Sequence, residues 1–82
     1  MIYKYYAIFE EEKDDTGYNV TFPDIFGGVT CGDNFDDALD MAKDLLKLML
    51  STAKEQCFEP SNREDLEAKF PGKNLVEIVV EI

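Results

Sequence analysis

The spacing of apolar residues changes period along the chain, and each change marks an element. From Ile2 to Glu10 the chain is rich in Tyr, Ile and Phe, and it predicts a strand. Ile2, Tyr6 and Ile8 fall on one side of it, and Tyr3, Tyr5, Ala7 and Phe9 on the other. Both sides are largely apolar, so both are expected to be covered, one by helices and the other by a second subunit. Glu11 to Gly17 is a polar turn. Tyr18, Val20 and Phe22 then alternate with Asn19 and Thr21, a second strand that closes a hairpin on the first. Pro23 lacks the N–H that a ladder needs and ends the pairing. Asp24 to Gly28 is a loop whose Gly27-Gly28 pair admits positive φ. Val29 to Gly32 is a short third strand.

The period then lengthens to that of a helix. Asn34 is placed as its N-cap, and Asp36 and Asp37 sit in the first turn, where the helix dipole favours carboxylates. The helix is predicted from Phe35 to Gln56. Phe35, Ala38, Leu39, Ala42, Leu45, Leu46, Met49, Leu50 and Ala53 form an apolar arc about 140° wide, with Asp36, Asp37, Asp40, Lys43, Asp44, Lys47, Ser51 and Lys54 opposite. Met41 and Leu48 flank the arc; that flank is either a contact for a second subunit or a wider core face. Pro60 breaks the chain, and Ser61 to Glu64 has the spacing of a capping box before a short helix to Lys69. Pro71-Gly72 turns into Leu75 to Ile82, where Val76, Ile78, Val80 and Ile82 point one way and Glu77 and Glu81 the other. The order is β-β-β-α-α-β. It predicts an α+β fold in which a three-stranded antiparallel sheet plus the C-terminal strand carries one long helix, with a short second helix.

At 82 residues the chain is one domain with a thin core, a size at which oligomerisation often supplies the missing burial. No apolar run approaches the roughly 20 residues of a membrane-spanning helix, and Met1 to Tyr6 has no basic start, apolar stretch or cleavage site. A cytoplasmic protein is expected.

Charge sharpens this outline. The net charge is −10, and it is unevenly placed. Between Glu10 and Asp40 ten acidic residues stand against Lys13 alone, so this stretch carries −9 and the remainder −1. Phosphate binding needs the opposite sign, so direct nucleic-acid binding by this domain is not expected. A basic partner would be attracted, including an RNA-binding protein; the plainer reading is a solvated acidic surface.

Groups able to do chemistry are scarce. The chain has no histidine, which removes the commonest general base and metal ligand. Cys31 and Cys57 lie far apart, with no CxxC, and read as small apolar residues of a reducing compartment, a disulfide between them being the alternative. Asp24, Asp33 and Asp37 are the one carboxylate group that a magnesium-dependent nuclease could draw on. Each has a stronger local role, in a turn, before the cap and at the dipole. No enzyme activity, metal or cofactor is therefore expected.

The stretch "YYAIFEEEKDDTGYNVTFPDIFGGVTCGDNFDDALDMAKDLL" resembles the N-terminal domain of HicB-family antitoxins. Gly17-Tyr18, Val20, Phe22-Pro23-Asp24, Gly27, Thr30, Gly32-Asp33, Asp36-Asp37-Ala38-Leu39 and Ala42 match the family pattern at its spacing, and "PSNREDLEAKFP" looks like the segment that follows the helix. The resemblance implies a partial RNase H-like fold without nuclease activity. It also implies a HicA-like mRNA interferase as partner, a small basic RNA-binding toxin neutralised by covering its RNA-binding and active surface, and assembly as a homodimer or homotetramer. The family's usual C-terminal DNA-binding segment has no counterpart in residues 1–82, which read as a single HicB-like domain. The residues expected to meet the toxin are Asp24, Ile25, Phe26, Asp33, Asp36 and Asp37, with Ile25 and Phe26 either an exposed apolar anchor or folded onto the core. Tyr3, Tyr5, Met41 and Leu48 are the expected oligomer interface. The rival reading is a stand-alone oligomeric HicB-like binding module with no toxin.

Overall fold

The computed structural model describes residues 1–13 and 16–82; Asp14 and Asp15, part of the predicted polar turn and acidic stretch, lie outside the described residues. The elements are β1 (Ile2–Glu11), β2 (Tyr18–Thr21), β3 (Val29–Gly32), α1 (Phe35–Thr52), α2 (Arg63–Lys69) and β4 (Asn74–Glu81), in the predicted β-β-β-α-α-β order. All four strands form one antiparallel sheet in the order β3-β2-β1-β4. β1 is central because it is the longest and apolar on both sides. β4 pairs with it from Ile2↔Glu81 to Phe9↔Asn74, which joins the two ends of the chain.

One face of the sheet meets α1. Tyr5, Ala7 and Phe9 of β1, Val20, Phe22, Ile78 and Val80 close with Ala38, Ala42, Leu46, Met49 and Leu50 into the main core. Phe22 and Leu46 are among its largest fully buried side chains, and complete burial of each contributes about 1.5–3 kcal/mol. The start of α1 is pinned twice. Phe9, Tyr18 and Phe35 form an aromatic triangle with centroids 5.3–6.3 Å apart. A Cβ added at Gly32 would lie 2.5 Å from the Ala38 Cα, so α1 crosses β3 at a distance only glycine permits.

The predicted long helix ends earlier than the apolar arc suggested. α1 stops at Thr52, whose hydroxyl donates to the Leu48 carbonyl at 2.7 Å, and Ala53 leaves helical geometry at φ −141°, ψ 46°. Lys54–Gln56 is a separate 3₁₀ turn. The break delivers Cys57 to a backbone bridge with Ile25, a tertiary contact that a straight helix would forgo.

The opposite face, expected to be left for a second subunit, is partly closed by this chain. Leu66 of α2 packs on Ile8 and Leu75, with Tyr6 and Phe70 at the margin. The start of α2 also differs from the capping-box expectation. Asn62, one residue later than Ser61, is the N-cap and accepts the Asp65 N–H at 2.8 Å. Ser61 is held elsewhere, by Asp24.

Candidate partner-binding surface

Two acidic regions came out of the sequence, and the fold treats them differently. The first is the loop after β2. Phe22 N–H donates to Gly28 O at 2.8 Å and Gly28 N–H to Ile25 O at 3.1 Å, a tight reversal with Gly27 at φ +79°. Asp24 is clamped from below: both carboxylate oxygens accept from Ser61, one from its N–H at 2.8 Å and one from its hydroxyl at 2.9 Å. Its carboxylate thus ties the loop to the segment before α2 and is half-buried there.

The next two residues have opposite fates. Ile25 is 3% exposed and belongs to the main core, so its side chain offers no anchor; of the two alternatives it takes the fold-back. Phe26 is 71% exposed. The backbone explains the split. Ile25 faces Cys57 in an antiparallel bridge, with Phe26 N–H donating to Gln56 O and Phe58 N–H donating to Asp24 O, each at 2.8 Å. Side chains alternate across such a ribbon, so Ile25 and Cys57 point inward while Phe26 and Phe58 share the outer side as diagonal neighbours. Phe58 is 62% exposed and was not singled out from sequence. Its only signal was an aromatic in a non-helical, Pro-flanked segment; its neighbourhood to Phe26 comes from a pairing more than thirty residues away in the chain.

The second region is the start of α1. Asn34 is the N-cap as predicted, accepting the Asp37 N–H at 2.8 Å. Asp37 in turn accepts the Asp33 N–H at 2.9 Å, and the Thr16 hydroxyl donates to Asp33 O at 3.0 Å. Asp33 and Asp36 remain exposed, and Asp37 is half-buried in the cap. The loop and the cap do not form one cluster: β3 lies between them, four residues that span about 13 Å. Asp24, Asp33 and Asp37 therefore do not converge, and among the described residues no group of three His, Cys, Asp or Glu could hold a metal ion.

The expected oligomer contacts also divide. Tyr5 is a core residue whose hydroxyl donates to Phe58 O at 2.8 Å, so it is removed from any interface; burial pushes its phenol pKa up, and Cys57 and Asp24 add to the shift. Tyr3 is half-buried, with the Lys54 ammonium 5.6 Å over its ring. Met41 and Leu48 are exposed on α1, which settles the flank as surface rather than core. Both cysteines are free thiols. Cys57 donates to Ala53 O at 3.7 Å, and burial, then the charge of Glu55, pushes its thiol pKa up. Among the described residues no helix is long and apolar enough to cross a membrane.

A four-stranded antiparallel sheet, one long helix and a short second helix define a small α+β domain. The model of the HicB_like antitoxins of bacterial toxin–antitoxin systems matches residues 5–82, and the chain belongs to that family. Its fold is similar to that of a chain in a toxin–antitoxin complex from Streptococcus pneumoniae, with a TM-score of 0.75 and 19% identity, covering 99% of this chain and 70% of that one. Comparison with curated proteins returns no match.

Proposed function

We propose that this protein is an antitoxin that binds a HicA-type mRNA interferase and blocks its basic RNA-binding surface, acting by occupancy and not by catalysis. Family membership supports the antitoxin role. The observation that carries the contact is Phe26, a large apolar side chain held out in water by a loop that spends four backbone hydrogen bonds on keeping its shape. With Phe58 beside it and Glu55 and Glu59 close along the chain, it makes an exposed aromatic anchor with an acidic rim, which complements a basic partner. Asp33 and Asp36, exposed at the far end of β3, extend the negative surface and speed encounter with a basic toxin.

Co-expression with a HicA-type toxin, followed by gel filtration with light scattering and an RNA-cleavage assay, tests this reading. A stable complex with suppressed cleavage is expected. Phe26→Ala combined with Phe58→Ala should weaken that complex at least tenfold while the circular dichroism of the free protein stays unchanged. Unchanged affinity moves the contact away from the loop. No complex with any HicA-type toxin leaves the stand-alone oligomeric module as the function.

A further inference from the structure

Phe26 and Phe58 are fixed by their backbones while their side chains lie in water. Phe26 N–H donates to Gln56 O at 2.8 Å. Phe58 is held at both of its backbone polar groups: its N–H donates to Asp24 O at 2.8 Å, and its carbonyl accepts the Tyr5 hydroxyl at 2.8 Å. Asp24 takes two more donors from the same segment, the Ser61 N–H and the Ser61 hydroxyl, through its carboxylate. Donors from Phe58 and Ser61 thus converge on the residue two positions before Phe26.

Packing alone does not call for these bonds. The inner side of the ribbon is satisfied by Ile25, which is buried in the main core. The outer side packs little, since both rings are more than half exposed. What the bonds fix is where the two rings stand relative to each other. Glu59-Pro60-Ser61 belongs to no helix or strand, and α2 beyond it buries Leu66 alone, so Ser61 is what holds this stretch to the loop. Both carboxylate oxygens of Asp24 already receive a donor. Glu55 and Glu59 are exposed and make no ion pair among the described residues, so they are the carboxylates open to a cation.

We propose that Asp24 and Ser61 are positioning residues for partner binding: they hold the Phe26 and Phe58 rings in the arrangement that the toxin receives, and neither is itself the contact. This assignment rests on the antitoxin reading and on the aromatic pair as its contact surface. A loop that is already ordered binds without the cost of ordering it, and affinity falls by the fraction of molecules in which the arrangement is lost.

Ser61→Ala removes the hydroxyl donor and keeps the N–H, Ser61→Thr keeps both, and Asp24→Asn leaves one acceptor oxygen of two. In the free protein, Ser61→Ala should speed hydrogen exchange at the Phe26 and Phe58 amides about fivefold and leave α1 protected. Affinity for a HicA-type toxin, measured by calorimetry, should fall about fivefold in Ser61→Ala and in Asp24→Asn, and return in Ser61→Thr. In the Phe26→Ala, Phe58→Ala background Ser61→Ala should change nothing, because its effect passes through the rings. Where that background binds too weakly to compare, the exchange rates and the threonine rescue decide. A loss in Asp24→Asn with full affinity in Ser61→Ala overturns the proposal, because Asp24 is then the contact. Unaltered exchange at Phe26 and Phe58 in Ser61→Ala overturns it, as does a loss that persists without the rings. Full affinity in the double aromatic variant refutes the aromatic contact itself and the proposal with it; a weakened double variant beside a fully binding Ser61→Ala refutes the positioning role alone.

Discussion

The two faces of the sheet are closed to very different degrees. Among the described residues, thirteen buried side chains interlock between α1 and the sheet, and three between α2 and the sheet. The difference follows from helix length. The 18-residue α1 presents an arc of apolar side chains along about 27 Å, while the seven-residue α2 can bury little beyond Leu66. One face therefore carries most of the burial of the fold, and the other leaves Ile2 and Val79 uncovered.

That contrast can be broken most severely at Gly32. Gly32→Ala would drive a methyl into the Ala38 backbone, which no rotamer change relieves, and should cost about 3 kcal/mol or more; thermal melting should show a domain unfolded or nearly so. Next come two matched truncations. Leu46→Ala should cost about 3–4 kcal/mol and lower the global melting temperature. Leu66→Ala should cost nearer 2 kcal/mol, because its cluster is small and can collapse around the gap. Hydrogen exchange sharpens the comparison: Leu66→Ala should release α2 amides first and leave α1 protected, and equal loss on both faces would refute the asymmetry.

The smallest expected effect is one of pH. Tyr5 donates its hydroxyl to Phe58 O, and its folded pKa is raised above the ordinary 10.0, chiefly by burial. A raised folded pKa gives stability that is complete below the unfolded value of about 10 and is lost as pH rises through the folded value. Denaturant midpoints of the wild type should therefore fall between pH 9 and pH 11. Tyr5→Phe should start lower at pH 8, having lost the hydrogen bond, and show a flatter decline.

Most of the fold was legible in local pattern. The alternation in Tyr18 to Phe22, the Asn34 cap and the arc from Ala38 to Leu50 are each settled by neighbours within one turn or one pleat, and all three stand in the structure. What failed to read locally was decided by partners far off in the chain. Ser61 has capping-box spacing but serves Asp24, 37 residues away. The last turn of α1 has helical sequence but gives way so that Cys57 can reach Ile25.

The same division runs through the candidate surface. The sequence by itself determined that this chain is acidic, lacks histidine chemistry, and places Asp24, Ile25, Phe26, Asp33, Asp36 and Asp37 around a short strand, because composition and spacing are properties of the chain alone. Only tertiary structure decided that Ile25 turns in and Phe26 turns out, that Phe58 joins Phe26, and that Asp24 is a clamp. A side chain's direction on an irregular loop depends on the backbone it pairs with, and that partner arrives from the far side of the longest helix.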